Sequence, residues 1–349
     1  MTNISPPIAW PDAAREAAFI AWLAPLTQSH RLVPTSLALA STDASFRRYF
    51  RIGDTAGTTR IIMDAPPPLE DVRPFIHVAG LIAQAGLHAP KVLAADAEQG
   101  FVLLDDLGHT LYLQVLQQGD TARVDRLMRD AIQALVRWQL QVDASSLPPY
   151  DEALLWRELS LFPEWCVQRE YGVTWTAVQQ GHWERVCDAL VKSALEQPTV
   201  AVHRDWMPRN LMVAEPNPGI LDFQDAVRGP ISYDVASLLR DAFISWDEER
   251  ELDWAVRYWD AARKAGLPVN EDFGEFWRQT EWMGLQRHLK ILGIFCRLKH
   301  RDGKPAYSAD LQRFFAYATK VALRYMPLKP LILLIEPLQD AKLEVGYSF

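Results

Sequence analysis

One break in a long helical stretch constrains this chain more than any other feature. From Arg123 onward apolar residues recur at helical spacing, as at Leu127, Ala131, Leu135 and Trp138, and residues 245–266 open with a Ser245/Glu248 capping box. Residues 200–223 do not follow that pattern. Leu211-Met212-Val213-Ala214, a Pro-Asn-Pro-Gly turn and Ile220-Leu221 read there as a β-hairpin. Asn210 stands just before its first strand and Asp222 just after its second. Antiparallel pairing therefore brings these two side chains to the same open end. A loop carrying His203 and Asp205 leads into that end.

Upstream the text is strand-like and punctuated by turns. Strands are expected at residues 37–41, 46–52 and 59–65, the last stopped by Pro66-Pro67-Pro68. A helix over 72–85, ended by Gly86 and Pro90, separates them from two further strands at 91–95 and 101–104, and another helix occupies 13–26. The predicted class is α+β: a small antiparallel sheet with helix over residues 1–104, then a mostly helical body over 105–349. With 349 residues, 49% of them hydrophobic, there is enough apolar material for two bodies.

Charge and cysteine usage narrow the function classes. A net charge of -8 gives no general attraction to phosphate backbones, so nucleic acid is not expected as a partner. Cys166, Cys187 and Cys296 are far apart and odd in number, which suits neither a disulfide framework nor a zinc site. Residues 1–10 lack a basic region followed by a long apolar one. The apolar run at 331–335 is short beside the roughly 20 residues of a membrane span. A cytoplasmic enzyme without a membrane partner is the expectation.

The chemistry follows from the hairpin's polar residues. An amide oxygen from Asn210 and a carboxylate from Asp222 are hard ligands suited to magnesium carrying substrate phosphates. Asp205 is then left to accept a hydrogen bond from an attacking hydroxyl and orient it. Capping and bracing of a turn is the alternative for each residue alone. His203 is read as bracing the loop, with contact to substrate as the other possibility. Gln224, Asp225 and Arg228 follow the metal carboxylate and are placed to reach an acceptor. Asp234 either caps the helix at 233–239 or reaches back to the backbone of the Asp205 loop.

His203, Asp205 and Asn210 reproduce the H-x-D-x-x-x-x-N catalytic loop of protein-kinase-like enzymes, with Leu221-Asp222-Phe223 in place of D-F-G. The chain thus resembles the aminoglycoside phosphotransferase and choline kinase superfamily, with its two-lobed protein-kinase-like fold. More narrowly, residues 41–51, 63–68, the catalytic run and Arg287-His288-Leu289-Lys290 resemble bacterial anomeric kinases for N-acetylmuramate and N-acetylglucosamine, which serve cell-wall recycling. The resemblance implies ATP and Mg2+ as cofactors and phosphorylation of the C1 hydroxyl of an amino sugar. The product would pass to a sugar-1-phosphate nucleotidyltransferase.

By position, the resemblance makes Asp205 the catalytic base and Asn210 and Asp222 the magnesium ligands. Ser41, Thr42 and Ser45 belong to the loop over the ATP phosphates, and Leu104, Asp105 and Leu107 to the hinge that meets adenine. The third strand, Arg60-Ile61-Ile62-Met63-Asp64, lacks the lysine such enzymes place there. Arg47 or Arg48 is the substitute, since strand alternation turns one of them inward. Glu70 and Asp71 are left without that lysine as a partner. Arg287 and Lys290 lie on one basic helical face, which either meets solvent or serves a carboxylated acceptor. Kinases of another small alcohol or of an aminoglycoside, and a nucleotide-binding pseudokinase scaffold, are the competing readings.

Overall fold

The structure, a computed structural model, describes residues 8–42, 46–67 and 69–345. In chain order the elements begin with α1 (Ala13–Ser29), β1 (Ala38–Thr42), β2 (Arg48–Gly53), β3 (Thr59–Asp64), α2 (Arg73–Gln84), β4 (Val92–Asp96) and β5 (Phe101–Asp105). There follow α3 (Tyr112–Leu116), α4 (Thr121–Gln141), α5 (Glu152–Leu161), α6 (Ala177–Leu195), β6 (Thr199–Val202), β7 (Leu211–Met212), β8 (Gly219–Ile220) and β9 (Val227–Pro230). Helices α7 (Tyr233–Leu239), α8 (Glu248–Ala265), α9 (Phe273–His300), α10 (Leu311–Arg324) and α11 (Ile332–Val345) complete the chain. No helix among the described residues is long and apolar enough to cross a membrane.

Two compact units result: Met1–Leu111 with Asn210–Asp225, and Tyr112–Arg209 with Ala226–Phe349. The first is built on a five-stranded antiparallel sheet of order β1-β2-β3-β5-β4. Asp54 closes the β2–β3 turn by accepting from the Ala56 and Thr58 amides, each at 2.9 Å. Asp12 starts α1 by accepting from the Arg15 amide at 2.7 Å. Phe19 and Leu23 of α1 then bury themselves with Phe50, Ile52, Ile62, Phe101 and Leu103 of the sheet. Each such side chain is worth about 1.5–3 kcal/mol relative to exposure.

The β7–β8 hairpin belongs to this unit and has the register Leu211↔Ile220 and Met212↔Gly219. Its backbone is tied down on both sides: the Ile220 amide donates to the His88 carbonyl at 2.7 Å, and the Val213 amide to Thr110 at 2.9 Å. A Cβ on Gly219 would lie 2.9 Å from Leu107 Cδ1, so a larger residue there would push the Leu107 side chain aside.

The second unit is helical around the short β6–β9 pair. Its long α9 is almost wholly buried. One helix start differs from expectation. The N-cap of α8 is Asp247, which accepts from the Arg250 amide at 2.9 Å. Ser245 instead accepts from the Tyr317 hydroxyl at 2.9 Å, and Glu248 pairs with Arg324. A carboxylate one residue before the helix outcompetes a hydroxyl three residues before it because the negative charge also meets the helix dipole.

Candidate active site

In the first unit the hairpin brings Asn210 and Asp222 together as antiparallel pairing requires: Asn210 Nδ2 donates to Asp222 Oδ2 at 3.2 Å. Asp222 holds a left-handed φ of +61°, a conformation costly for a residue with a Cβ and typical of functional positions. Phe223 next to it is fully buried and packs on Phe75 of α2 with ring centroids 4.6 Å apart, which anchors that strained turn. Gln224 turns back, its Nε2 donating to Asp222 Oδ1 at 2.8 Å and meeting Asp225 Oδ2 at 3.4 Å. Gln224 and Asp225 therefore cluster with the amide–carboxylate pair.

The two candidate arginines have different duties. Arg48 Nε donates to Asp64 at 2.9 Å, and Arg15 Nε does the same from α1. Asp64 is fully buried, and such a carboxylate is tolerated because two guanidinium groups neutralise it. Arg48 is thereby committed to joining α1 to the sheet. Arg47 faces the other way and pairs with Glu70 at 3.0 Å. Burial lowers the Arg47 pKa, but Tyr49, Glu70 and Asp225 nearby raise it further, leaving it above its ordinary value. Glu70 thus has a partner after all, supplied by the strand-β2 edge.

Of the other nucleotide residues, Ser41 and Thr42 end β1, while Ser45 lies outside the described residues. Leu104 is buried at the end of β5. The Asp105 carboxylate accepts from the Lys91 amide at 2.5 Å, and Leu107 is the residue against which Gly219 packs.

In the second unit the loop after β6 is held by α7. The amides of His203 and Arg204 donate to the two carboxylate oxygens of Asp234 at 2.7 and 2.9 Å. Of the two roles open to Asp234, the reach back to the loop is the one observed. Burial lifts its pKa to about 7 against those hydrogen bonds, with Asp205 adding to the rise. His203 is fully buried, packed edge-on against Trp206, and its Nδ1 accepts from the Asp205 amide at 3.3 Å. Arg204 has a left-handed φ of +74°.

Three cations, Arg204, Arg287 and Lys290, gather around Asp205 and Glu158. Arg287 Nη2 stands 3.7 Å from Asp205 Oδ1. Lys290 Nζ lies 3.4 Å from Glu158 and donates to the Tyr233 hydroxyl at 3.1 Å. Arg204 and the Tyr150 hydroxyl also bond to Glu158. Burial raises the Asp205 pKa, but Lys290, Arg287, Arg204 and His203 together outweigh it, so its carboxyl sits below the ordinary aspartate value. Arg287 and Lys290 are 2% and 7% exposed, so the face they share is interior, not solvated. Arg228 is exposed on β9.

Glu158 is the site residue that sequence reasoning missed. Its signal was present: it stands on the same face of α5 as the buried Leu155 and Leu159, where a carboxylate needs a reason to be.

A five-stranded antiparallel sheet in one unit and a mostly helical second unit are the elements of a protein-kinase-like fold. Residues 36–273 match the model of the phosphotransferase enzyme family, and the chain belongs to that family. It is 54% identical over 292 residues to an N-acetylmuramate/N-acetylglucosamine kinase of Pseudomonas aeruginosa, covering 83% of this chain and 85% of that one. An enzyme of the same name from Pseudomonas putida is 53% identical, over 87% and 88% of the two chains. In structure it is similar to a Plasmodium vivax ethanolamine kinase, with a TM-score of 0.61 at 11% identity, covering 90% of this chain and 89% of that one. At that identity the likeness speaks to the fold alone.

Proposed function

We propose that this chain uses ATP and magnesium to phosphorylate the anomeric C1 hydroxyl of N-acetylmuramate and N-acetylglucosamine. The sugar 1-phosphate would enter peptidoglycan recycling through a sugar-1-phosphate nucleotidyltransferase. The choice of acceptor is supported by the two relatives above half identity that carry this name. The reaction class is supported by one observation in particular, the pairing of Asn210 with Asp222 at the open end of the hairpin.

An amide oxygen and a carboxylate, with Asp225 close by, fit magnesium, which takes few protein ligands and completes its shell with water and phosphate oxygens. When bound, the ion neutralises charge on the phosphates. The rest is the chain's own work. Asp205 orients the acceptor hydroxyl and takes its proton as the bond to phosphorus forms. Arg47, facing away from the Arg48–Asp64 pair, supplies the cation that β3 lacks, and Glu70 positions it as an acid positions the lysine of related enzymes. Ser41, Thr42 and Ser45 close over the phosphates, and the backbone of Leu104, Asp105 and Leu107 meets adenine.

An aminoglycoside acceptor is disfavoured by charge. Asp205 itself is flanked by three cations, Arg204, Arg287 and Lys290, which suit a neutral or carboxylated sugar better than a polycation. ADP release measured with N-acetylmuramate, N-acetylglucosamine, choline, homoserine and kanamycin tests the assignment. Both amino sugars should stimulate it; silence with both defeats the reading. Phosphorus NMR of the product should give a 1-phosphate signal split by the anomeric proton, and a 6-phosphate pattern would move the reaction to another hydroxyl. A chain that binds ATP but transfers to none of these acceptors would be a scaffold.

A further inference from the structure

Arg287 is an unusual residue to bury. Its side chain is 2% exposed, yet Nε and Nη1 meet no hydrogen-bond acceptor among the described residues. Its Nη2 makes only a weak contact with the Met207 sulfur at 3.6 Å and stands 3.7 Å from Asp205 Oδ1. A guanidinium with five donors that leaves three of them, on Nε and Nη1, unpaired in the interior costs stability. Arg240, equally buried, also leaves its Nη1 without a partner but bonds two carboxylates, Glu251 at 3.2 Å and Glu281 at 2.7 Å, where Arg287 bonds none within 3.5 Å. A group kept at such a cost calls for a reason beyond packing.

The neighbourhood supplies one. Arg287 reaches Asp205 from α9, a helix far away in sequence, and Lys290 one turn on reaches Glu158, which in turn holds Arg204, the residue before Asp205. The loop is thus gripped twice from α9, once at the carboxylate and once at its neighbour, while α7 fixes its backbone through Asp234. Solvent and acceptor have no direct access to Nε or Nη1, each of which is buried. This makes Arg287 a poor acceptor ligand and a good fixed charge.

We propose that Arg287 is a positioning residue for Asp205, holding its carboxylate as an oriented anion toward the acceptor hydroxyl. The proposal rests on the reading of Asp205 as the group that orients that hydroxyl. The charged groups facing Asp205 are Arg287 and Lys290 from α9, Arg204 and His203 from its own loop, and Asp234 from α7. The cations win, so the anion is the resting form.

The test is a carbon-13 titration of aspartate carboxyls in the full chain, with Asp205 assigned by the signal lost in Asp205→Asn. In the wild type, Asp205 should titrate below the ordinary aspartate value; titration at or above that value overturns the proposal without any variant. Arg287→Met should raise the midpoint by about one pH unit or more, with Arg287→Lys in between. It should also lower kcat by about tenfold or more while KM for ATP is unchanged. A merely structural role would lower the melting temperature and leave the Asp205 midpoint where it is, which again overturns the proposal. A higher KM for the sugar with kcat unchanged would make Arg287 an acceptor ligand instead. The titration needs no turnover, so absence of activity with both sugars would count against the assigned function and not against the hold of Arg287 on Asp205.

Discussion

Two buried charge clusters lie in the helical unit, and they are built on opposite plans. Around Arg240 the charges balance: Arg240 and Arg324 face Glu251 and Glu281, with Tyr325 donating to Glu281 at 2.5 Å. Around Asp205 they are uneven, since three cations, Arg204, Arg287 and Lys290, converge on that one carboxylate, while burial pushes Asp234 up to about 7. In the Arg240 cluster each charge has a direct ion-pair partner of opposite sign. In the other, three cations ring a single carboxylate and hold its pKa down. Both clusters share α9, through Glu281 in one and Arg287 and Lys290 in the other. The difference in plan therefore does not come from location.

If that contrast is right, the two clusters break in different ways. Asp205→Ala should reduce kcat by about 10²–10⁴-fold while ATP still binds and the chain still folds, as kinetics and calorimetric titration would show. Arg240→Met should instead destabilise folding by about 3–5 kcal/mol, because it strands Glu251 in the interior and takes one of its partners from Glu281, and denaturant unfolding would measure it. Unchanged stability in that variant would erase the distinction.

Acid offers a gentler way into the balanced cluster. His288 Nε2 lies 3.1 Å from the Arg240 carbonyl, and the ring stacks on Tyr317 at 4.7 Å. Burial, with Arg287 and Arg240 adding to it, lowers the His288 pKa from 6.5 to about 3. The unfolded chain therefore binds the proton more readily, and stability from this site is lost as pH falls from 6.5 toward about 3. Unfolding free energy measured across that range should decline, and His288→Gln should flatten the decline. Packing between α5 and α9 can be probed at Gly293, where a Cβ would stand 2.4 Å from the Leu161 carbonyl carbon. Gly293→Ala should cost about 1–3 kcal/mol in denaturant unfolding. By pushing α9 off α5 it should also separate Lys290 from Glu158 and lower kcat.

The sheet and its order of elements were legible because alternation and turn residues declare strands locally: Asp54 both marks and closes the β2–β3 turn. The hairpin with Asn210 and Asp222 was legible for the same reason, since two strands and a turn fix which side chains meet. The partners of charged residues were not. That Arg48 goes to Asp64 and Arg47 to Glu70 depends on which face of β2 meets α1, a tertiary fact that alternation states only up to a choice of two. The basic face of α9 looked the same as a solvated one, because periodicity locates a stripe without saying what covers it. Glu158 was visible as an anomaly on an apolar face, but its meaning lies in Lys290, more than a hundred residues away.

The smallest of the expected effects concerns α8, which carries Glu251 into the balanced cluster. A capping box of Ser245 and Glu248 and a single Asp247 cap are two ways to begin this helix, and they respond differently to substitution. Asp247 accepts from the Arg250 amide at 2.9 Å, so Asp247→Ala should cost about 1 kcal/mol in denaturant unfolding, while Asp247→Asn should keep most of the cap. Ser245 touches the Tyr317 hydroxyl and no amide of the first turn, so Ser245→Ala should cost less than Asp247→Ala. Neither change removes a charge from the Arg240 cluster, and both should leave kcat as it is. A loss of turnover in Asp247→Ala would mean that the balanced cluster, through the entry of α8, also sets the geometry of the unbalanced one.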